Sequence, residues 1–291
     1  MPQVPLWQKS LISSQLDIDR LDYLRRDSLC SGAEYGNFDC FRIIHTMQLQ
    51  EYKEKERRQK GIFIVWPEKT KYALEEYIFS RFYMYQSVYF HHTTRGFECL
   101  LRKILDRAKD LDKKDSKFAT EMLPPMKMIL GTRYSKNLKS FQQLTDDIMF
   151  AQISIWQHHR DKILSDLSNR LMSRSGLGWA EKTGTSMVTY EQTNEVKRFL
   201  HKKNIDERYY FFYDETQATA YKPYSSASSP EELSSVSSIL LYNSSWQDTG
   251  FKEISDVPGL NRISAITKSE AAILRCYFPK EFEKEIQKIL R

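Results

Sequence analysis

Residues 13–35 carry the pattern that most constrains the chain, a helical stretch with polar side chains at helical spacing. Asp19, Tyr23 and Asp27 follow one another at intervals of four residues, and residues four apart share one face of a helix. Arg20 lies at the edge of that face. Two carboxylates, a phenol and a guanidinium pack poorly in an apolar core. They suit the wall of a polar pocket that holds a metal ion, a phosphate and a hydroxylated ligand.

The order of residues in this helix resembles a family motif. Residues 17–27 read DIDRLDYLRRD and are similar to the closing motif D-x-D-[RK]-x-D-Y-x-x-R-D of HD-superfamily phosphohydrolases, in the branch that hydrolyses deoxynucleoside triphosphates. Residues 32–39 (GAEYGNFD) and 73–105 also resemble the family. An exposed amphipathic helix with Asp22–Arg26 pairs is the alternative interpretation, but charge pairing alone does not require the GAEYGNFD segment.

The resemblance implies a role for each polar residue. Asp19 corresponds to the last metal-ligating Asp of an H…HD…D set. Five further positions correspond to substrate-binding residues: Arg20 and Arg81 as the triphosphate clamp, and Tyr23, Asp27 and Tyr89 as the lining of the deoxyribose and base pocket. Guanidinium groups pair well with phosphate oxygens, and aromatic rings stack on sugar or base. Core packing of the tyrosines and a surface ion pair for Arg81 remain the alternatives.

The resemblance also implies a reaction and a cofactor. In a complete family site, one or two divalent metals (Mg²⁺, Mn²⁺, Fe²⁺ or similar) activate water and neutralise phosphate charge. The products are a deoxynucleoside and inorganic triphosphate. We therefore expect deoxynucleoside triphosphates as the substrate class.

The first His and the HD pair of the family set are missing from this sequence. It contains no His-Asp dipeptide, and the family carries these ligands before the motif that begins here at Asp17. We therefore expect the chain to be the C-terminal portion of such an enzyme, which neither holds a metal tightly nor acts alone. A truncated or frameshifted gene, one half of a split enzyme, and a non-catalytic nucleotide-binding or protein-interaction descendant remain open.

Two pairs of adjacent histidines invite a metal-site interpretation. His91-His92 and His158-His159 both fall in predicted helices, where neighbouring side chains point about 100° apart. We therefore expect polar contacts rather than shared chelation of one ion.

The hydrophobic pattern predicts a mainly α fold, namely the C-terminal part of an all-α HD-domain fold followed by a small α+β appendage. The predicted domains are residues 1–182 and 183–291. Predicted elements are a helix capped by Ser13 or Ser14, a strand at 61–66, helices at 68–110 and 144–174, a helix at 190–203, strands at 208–213, 240–242 and 260–267, a flexible loop at 225–238, and a closing helix at 280–290.

Composition limits the classes of partner. The 291 residues carry a net charge of +6, which suits phosphate-bearing ligands but does not by itself indicate nucleic-acid binding. Four scattered cysteines indicate reduced thiols in a cytoplasmic protein. No run reaches the ~18 apolar residues that span a bilayer, so no membrane partner is expected. The expected partners are a deoxynucleoside triphosphate and either a second copy or a complementary N-terminal HD half.

Overall fold

The computed structural model describes residues 4–53, 60–115, 117–130, 138–182, 188–216, 238–246, 250–260, 262–263 and 273–290. The helices are α1 (Leu6–Ile12), α2 (Ile18–Ser31), α3 (Cys40–His45), α4 (Lys71–Met84), α5 (His92–Lys114), α6 (Pro124–Leu130), α7 (Leu138–Gln142), α8 (Asp146–Trp156), α9 (Lys162–Met172), α10 (Tyr190–Lys202), α11 (Glu207–Tyr210) and α12 (Glu283–Leu290). The strands are β1 (Gln48–Lys53), β2 (Lys60–Pro67), β3 (Gly178–Lys182), β4 (Phe212–Thr216), β5 (Leu240–Tyr242), β6 (Phe251–Glu253) and β7 (Ile273–Phe278). A π-helical turn, Tyr85–Tyr89, follows α4.

The mainly α fold class with small sheets is confirmed. The chain forms two compact units that alternate along the sequence. The first contains Met1–Phe90 and Gln217–Ala271, and the second contains His91–Thr216 and Ala272–Arg291. Neither unit coincides with the predicted domains 1–182 and 183–291, because strands far apart in sequence pair within each unit.

In the first unit, helices α1 to α4 pack with a four-stranded sheet of order β1-β2-β5-β6. β1 and β2 form an antiparallel hairpin, whereas β5 pairs with β2 in parallel, with Val65 opposite Leu240. A parallel pair needs a long crossover, so this contact is not visible in local sequence. Trp66 of β2 is buried and donates its indole N–H to the carbonyl oxygen of Ile43 at 2.9 Å.

Helix α2 ends at a glycine. Gly32 has φ +72° at the C-terminal end of α2, a conformation that costs glycine little. Gly36, in the 3₁₀ turn that follows, is buried against α2, and a Cβ there would collide with the Leu24 carbonyl oxygen. Ser28 accepts the Gly36 N–H at 3.2 Å. The turn after α2 therefore folds back tightly onto the helix that carries the candidate site.

The second unit combines α5–α12 with an antiparallel sheet of order β3-β7-β4. One core cluster lies among α5, α6, α8 and α9, with Trp156 and Leu164 fully buried. Another cluster joins the sheet to α10 and α12 through Phe278 and Ile286.

Several predicted elements agree with the structure. The strand at 61–66 corresponds to β2, the strand at 240–242 to β5, the helix at 190–203 to α10, and the closing helix to α12. The predicted loop at 225–238 lies outside the described residues, apart from residue 238. Residues 264–267 of the predicted strand at 260–267 also lie outside them, and residues 262–263 are helical.

Three predictions about element boundaries are wrong. The helix predicted at 68–110 is interrupted, because Phe90 and His91 leave helical geometry and α5 begins anew at His92. The helix predicted at 144–174 divides at residues 157–161, where Asp161 caps α9 by accepting the Leu164 N–H at 2.9 Å. Residues 207–210 are helical, and the strand predicted at 208–213 begins only at Phe212. None of the described helices combines the length and apolar composition needed to cross a bilayer.

Candidate functional site

Asp17, rather than either serine, caps the helix of the candidate site. Its carboxylate accepts the backbone N–H of Arg20 at 2.8 Å and that of Ser14 at 3.1 Å. A carboxylate is favoured there because it satisfies free N–H groups and faces the positive end of the helix dipole. The Arg20 guanidinium lies 3.1 Å from the same carboxylate. Asp17 therefore holds Arg20 at the start of α2, with 28% of the Arg20 side chain exposed.

Three tyrosines meet beside α2. Tyr23 points from α2 towards the π-helical turn that carries Tyr85 and Tyr89. The ring centroids of Tyr23 and Tyr89 are 6.3 Å apart, and those of Tyr85 and Tyr89 are 5.0 Å apart, both edge to face. Tyr85 also lies close enough to the Tyr23 hydroxyl to raise the pKa of Tyr23. π-Helical turns occur frequently at functional sites, and this one brings two phenols to the same helix face.

Asp27 completes the tyrosine cluster. The Tyr89 hydroxyl donates to Asp27 Oδ2 at 2.7 Å. Burial, followed by this hydrogen bond, raises the pKa of Tyr89 well above its usual range. Burial, followed by the nearby Tyr85, raises the pKa of Tyr23 to about 12. Both phenols keep their protons at neutral pH. The Tyr89 proton is already donated to Asp27, so Tyr89 can accept a hydrogen bond from a hydroxylated ligand, whereas Tyr23 can donate one.

Arg81 lies in the last turn of α4, next to the tyrosine cluster. The central carbon of its guanidinium is 5.5 Å from the Tyr85 ring centroid, within the range of a cation–π interaction. Its Nε atom is buried and has no hydrogen-bond partner among the described residues. Such an unsatisfied donor costs about 1–3 kcal/mol. An anionic ligand that reached Nε would remove this cost.

The charges of Arg20 and Arg81 affect the pKa values of the same tyrosines, although the two arginines belong to different helices. Burial is the main cause of the raised pKa of Tyr23, and the positive charges of Arg81 and Arg20 both oppose the rise. The same two charges oppose the burial-driven rise in the pKa of Tyr77. Both guanidinium groups therefore place positive charge near the cluster.

Asp19 lies in the first turn of α2 and is exposed to solvent. Within the part of the chain that the structure describes, no group of three or more His, Cys, Asp or Glu side chains could hold a metal ion. A single exposed carboxylate does not form a catalytic metal site. The donors among the described residues therefore do not fit a resident metal by themselves, and the role of Asp19 stays a prediction.

The structure brings together the predicted substrate-binding residues and leaves Asp19 at the edge. The residues that meet are Arg20, Tyr23, Asp27, Arg81 and Tyr89. Sequence reasoning did not assign Tyr85 to the site, although it contacts both Tyr23 and Arg81. Its spacing of four residues from both Arg81 and Tyr89 is the signal that identifies it.

The sequence predicts that His91 and His92 lie within one helix, but the structure places them at a helix start. His91 caps α5, with its Nδ1 accepting the Thr93 N–H at 3.3 Å, and His92 is the first helical residue. Their ring centroids are only 4.1 Å apart, so the argument from helical divergence was wrong for this pair. The His92 ring stacks on Trp179. Burial, followed by the charge of His91, lowers the pKa of His92.

The second pair was also wrongly placed in a helix interior. His158 and His159 lie in the turn between α8 and α9. His159 Nδ1 accepts the Asp161 N–H at 3.0 Å, and its Nε2 lies 3.0 Å from Glu121. These contacts indicate that His159 stabilises the turn.

Sequence comparisons connect the chain with the HD superfamily. Residues 38–140 match the family model described as the HD associated region. YwfO from Bacillus subtilis is 34% identical over 225 residues, which span 77% of this chain and 48% of that protein. The MG461 homologue of Mycoplasma pneumoniae is 31% identical over 169 residues, which span 55% of this chain and 38% of that protein. The chain thus spans about half or less of the length of these relatives.

Comparison with solved structures agrees. A phosphohydrolase from Bacteroides thetaiotaomicron matches with a TM-score of 0.71 and 25% identity, over 93% of this chain and 63% of that one. A hypothetical protein from Aquifex aeolicus shares the fold, with a TM-score of 0.59 and 21% identity over 95% of this chain and 57% of the other. The family model and the phosphohydrolase match together support placing this chain in the HD superfamily.

Proposed function

We propose that this chain forms the nucleotide-binding part of an HD-superfamily phosphohydrolase that acts on deoxynucleoside triphosphates. The observation that carries the proposal is the buried Nε of Arg81, which has no partner among the described residues and lies beside a cluster of phenols. Arg20 supplies a second guanidinium to the same region. A ligand with several phosphate oxygens at one end and hydroxyl groups at the other matches this combination.

The two ends of the site bind different parts of the ligand. Arg81 and Arg20 receive the triphosphate, because guanidinium groups donate two parallel hydrogen bonds to phosphate oxygens. Arg20 moves from Asp17 to the ligand, or contacts both. Tyr23 and Tyr89 form the wall for deoxyribose and base, with both hydroxyl groups protonated at neutral pH. Asp27 orients the Tyr89 hydroxyl through the 2.7 Å hydrogen bond.

The metal chemistry requires groups beyond those of the described residues. Asp19 is the single carboxylate that the family resemblance assigns to the metal, and one carboxylate does not hold a catalytic ion. We propose that the remaining ligands belong to an H…HD-bearing segment outside this chain, whether a longer form of the same polypeptide or a separate one. The length of the relatives supports this proposal.

The alternative is a non-catalytic nucleotide-binding or interaction protein. Exposed apolar side chains favour a protein partner: Leu29 is 84% exposed, Ile12 77% and Ile18 59%. All three lie on α1 and α2, the helices that lead into the candidate site. A complementary HD half of a split enzyme or a second copy of the chain are the partners that fit either function.

Ligand titration of the Arg81→Gln variant tests the binding proposal. Calorimetry of the unmodified chain should detect binding of dATP and of inorganic triphosphate. The Arg81→Gln variant should bind both about tenfold or more weakly, because a charge-assisted hydrogen bond to phosphate contributes roughly 1.5–3 kcal/mol. Deoxyadenosine, which lacks phosphate, should bind more weakly than dATP, and it should bind the variant and the unmodified chain equally.

Arg25→Gln is the matched control, since Arg25 is exposed on α2 and lies two residues from both Tyr23 and Asp27, so its side chain does not share their helix face. It removes the same charge and should bind dATP as the unmodified chain does. Equal affinity of Arg81→Gln and the unmodified chain for dATP contradicts the proposed clamp.

A further inference from the structure

The second unit contains a partly open cavity of about 220 Å³ that has no part in the site described above. It lies where the start of α5, the loop after α9, β3 and the start of α12 come together. Aromatic side chains form much of its wall: Phe97, Trp179 and Tyr277. Two cationic residues, Arg174 and Lys280, also line it.

The aromatic wall is held in place by contacts within the unit. The Trp179 ring stacks on His92, with centroids 4.1 Å apart and ring planes 20° apart. The Tyr277 hydroxyl donates to the His92 carbonyl oxygen at 2.8 Å. Gly96 packs directly against Tyr277, and a Cβ there would lie 2.9 Å from a ring carbon. The cavity is therefore formed before any ligand arrives, which lowers the cost of binding.

The cations of this cavity differ from the less exposed arginines of the same unit. The guanidinium groups of Arg107, Arg170 and Arg275 each lie within hydrogen-bonding distance of a carboxylate. Arg174 and Lys280 have no ion pair with a described residue. Glu283 also lines the cavity, where it accepts a hydrogen bond from Gln287 at 3.1 Å. The cavity thus offers two positive charges to an anion and one carboxylate to a ligand hydroxyl group.

We propose that this cavity binds a small phosphomonoester, with its phosphate on Arg174 and Lys280 and its hydroxylated carbon skeleton against Trp179 and Glu283. Arg and Lys are the usual side chains for phosphate, and an aromatic face suits the carbon skeleton of a sugar. A volume of about 220 Å³ lies below the roughly 300–1,000 Å³ of pockets for drug-sized ligands. The ligand is therefore of the size of a pentose phosphate rather than a nucleoside triphosphate.

Titration of the full chain with three probes tests this assignment. Ribose 5-phosphate should bind saturably, inorganic phosphate more weakly, and ribose alone not measurably. Replacement of Arg174 by Asn and of Lys280 by Gln should each weaken ribose 5-phosphate binding about tenfold or more. Asn is chosen because Arg174 has φ +55°, a conformation that Asn tolerates.

Matched controls separate a specific site from general attraction of anions. Arg198→Gln and Lys202→Gln remove the same charge from exposed positions of α10 and should leave the affinity unchanged. Glu283→Ala should reduce the preference for ribose 5-phosphate over inorganic phosphate, because it removes the hydroxyl acceptor without removing a cation. Arg81→Gln should have no effect, so failure here is distinguishable from failure of the proposed nucleotide site.

Three outcomes overturn the proposal. The first is the absence of saturable binding of any phosphate at about 10 mM and low ionic strength, where charge attraction is least screened. The second is an equal weakening of ribose 5-phosphate binding by the α10 controls. The third is binding of ribose 5-phosphate that is no tighter than binding of inorganic phosphate. The last result defines a general anion site instead of a phosphomonoester site.

Discussion

The hydrogen bond between Tyr89 and Asp27 joins residues 62 positions apart in the chain, at a distance of 2.7 Å. Together with the edge-to-face contact of Tyr23 with Tyr89, it connects α2 directly to the π-helical turn at the candidate site. Helical spacing predicts that Asp19, Tyr23 and Asp27 share a face, because that geometry is local. The pairing of Asp27 with Tyr89 depends on how two helices pack, and spacing alone does not predict it.

Replacement of Tyr89 by Phe should lower the stability of the chain by about 1–2 kcal/mol, because the partly buried Asp27 carboxylate loses its donor. Thermal or urea unfolding measures the effect. The Asp27→Asn variant and the double variant complete a double-mutant cycle, in which the two changes should be less than additive. Strict additivity contradicts a coupled pair.

The raised pKa of Tyr23 predicts a stability change at alkaline pH. The folded-state pKa of about 12 exceeds the ordinary value of about 10 for an unfolded chain. Between these values the unfolded state loses the proton first, so stability falls as pH rises from about 10 towards 12. The Tyr23→Phe variant removes this contribution. Its unfolding midpoint should therefore fall less steeply over that range than that of the unmodified chain, and parallel curves contradict the assignment.

At the scale of elements, the candidate site depends on the break between α4 and α5. The sequence predicts one helix over 68–110, since apolar residues recur at helical spacing through the whole segment. The structure instead ends α4 in a π-helical turn, and His91 caps a new helix. The periodicity of apolar residues indicates which residues are buried. The π-helical turn, however, depends on tertiary contacts of Tyr85 and Tyr89.

Two glycines after α2 provide a matched pair of substitutions. Gly36→Ala should destabilise the chain by about 2 kcal/mol or more, because the added Cβ meets the Leu24 backbone and a backbone shift must follow. Gly32→Ala has open space around the new Cβ and should cost only about 1 kcal/mol from its positive φ. Urea unfolding of both variants measures the difference. A larger loss for Gly32→Ala contradicts the tight packing of the turn on α2.

At the scale of the whole molecule, the chain combines two units whose segments alternate in sequence. The mainly α class and strands β2 and β5 could be predicted, because hydrophobic periodicity and β-branched composition act locally. The grouping into units could not, because it depends on β5 pairing with β2 and on β7 lying between β3 and β4. These contacts join segments that are far apart in the chain and carry no local signal.

The proposal that this chain supplies only one metal ligand predicts how its activity depends on a partner segment. The purified chain should release no triphosphate from deoxynucleoside triphosphates with Mg²⁺, Mn²⁺ or Fe²⁺, since Asp19 alone does not hold a catalytic ion. Addition of an H…HD-bearing segment from a relative should restore release, and Asp19→Asn should abolish the restored activity. Analysis of released triphosphate provides the measurement. Clear metal-dependent release by the chain alone contradicts the proposal.

A crystal structure of the chain with a non-hydrolysable deoxynucleoside triphosphate analogue tests the central claim most directly. The account predicts phosphate oxygens within hydrogen-bonding distance of the guanidinium groups of Arg20 and Arg81, including the buried Nε of Arg81. It places the sugar against Tyr23 and Tyr89. A nucleotide bound elsewhere, with Arg81 Nε still without a partner, contradicts the assignment of this cluster as a nucleotide site.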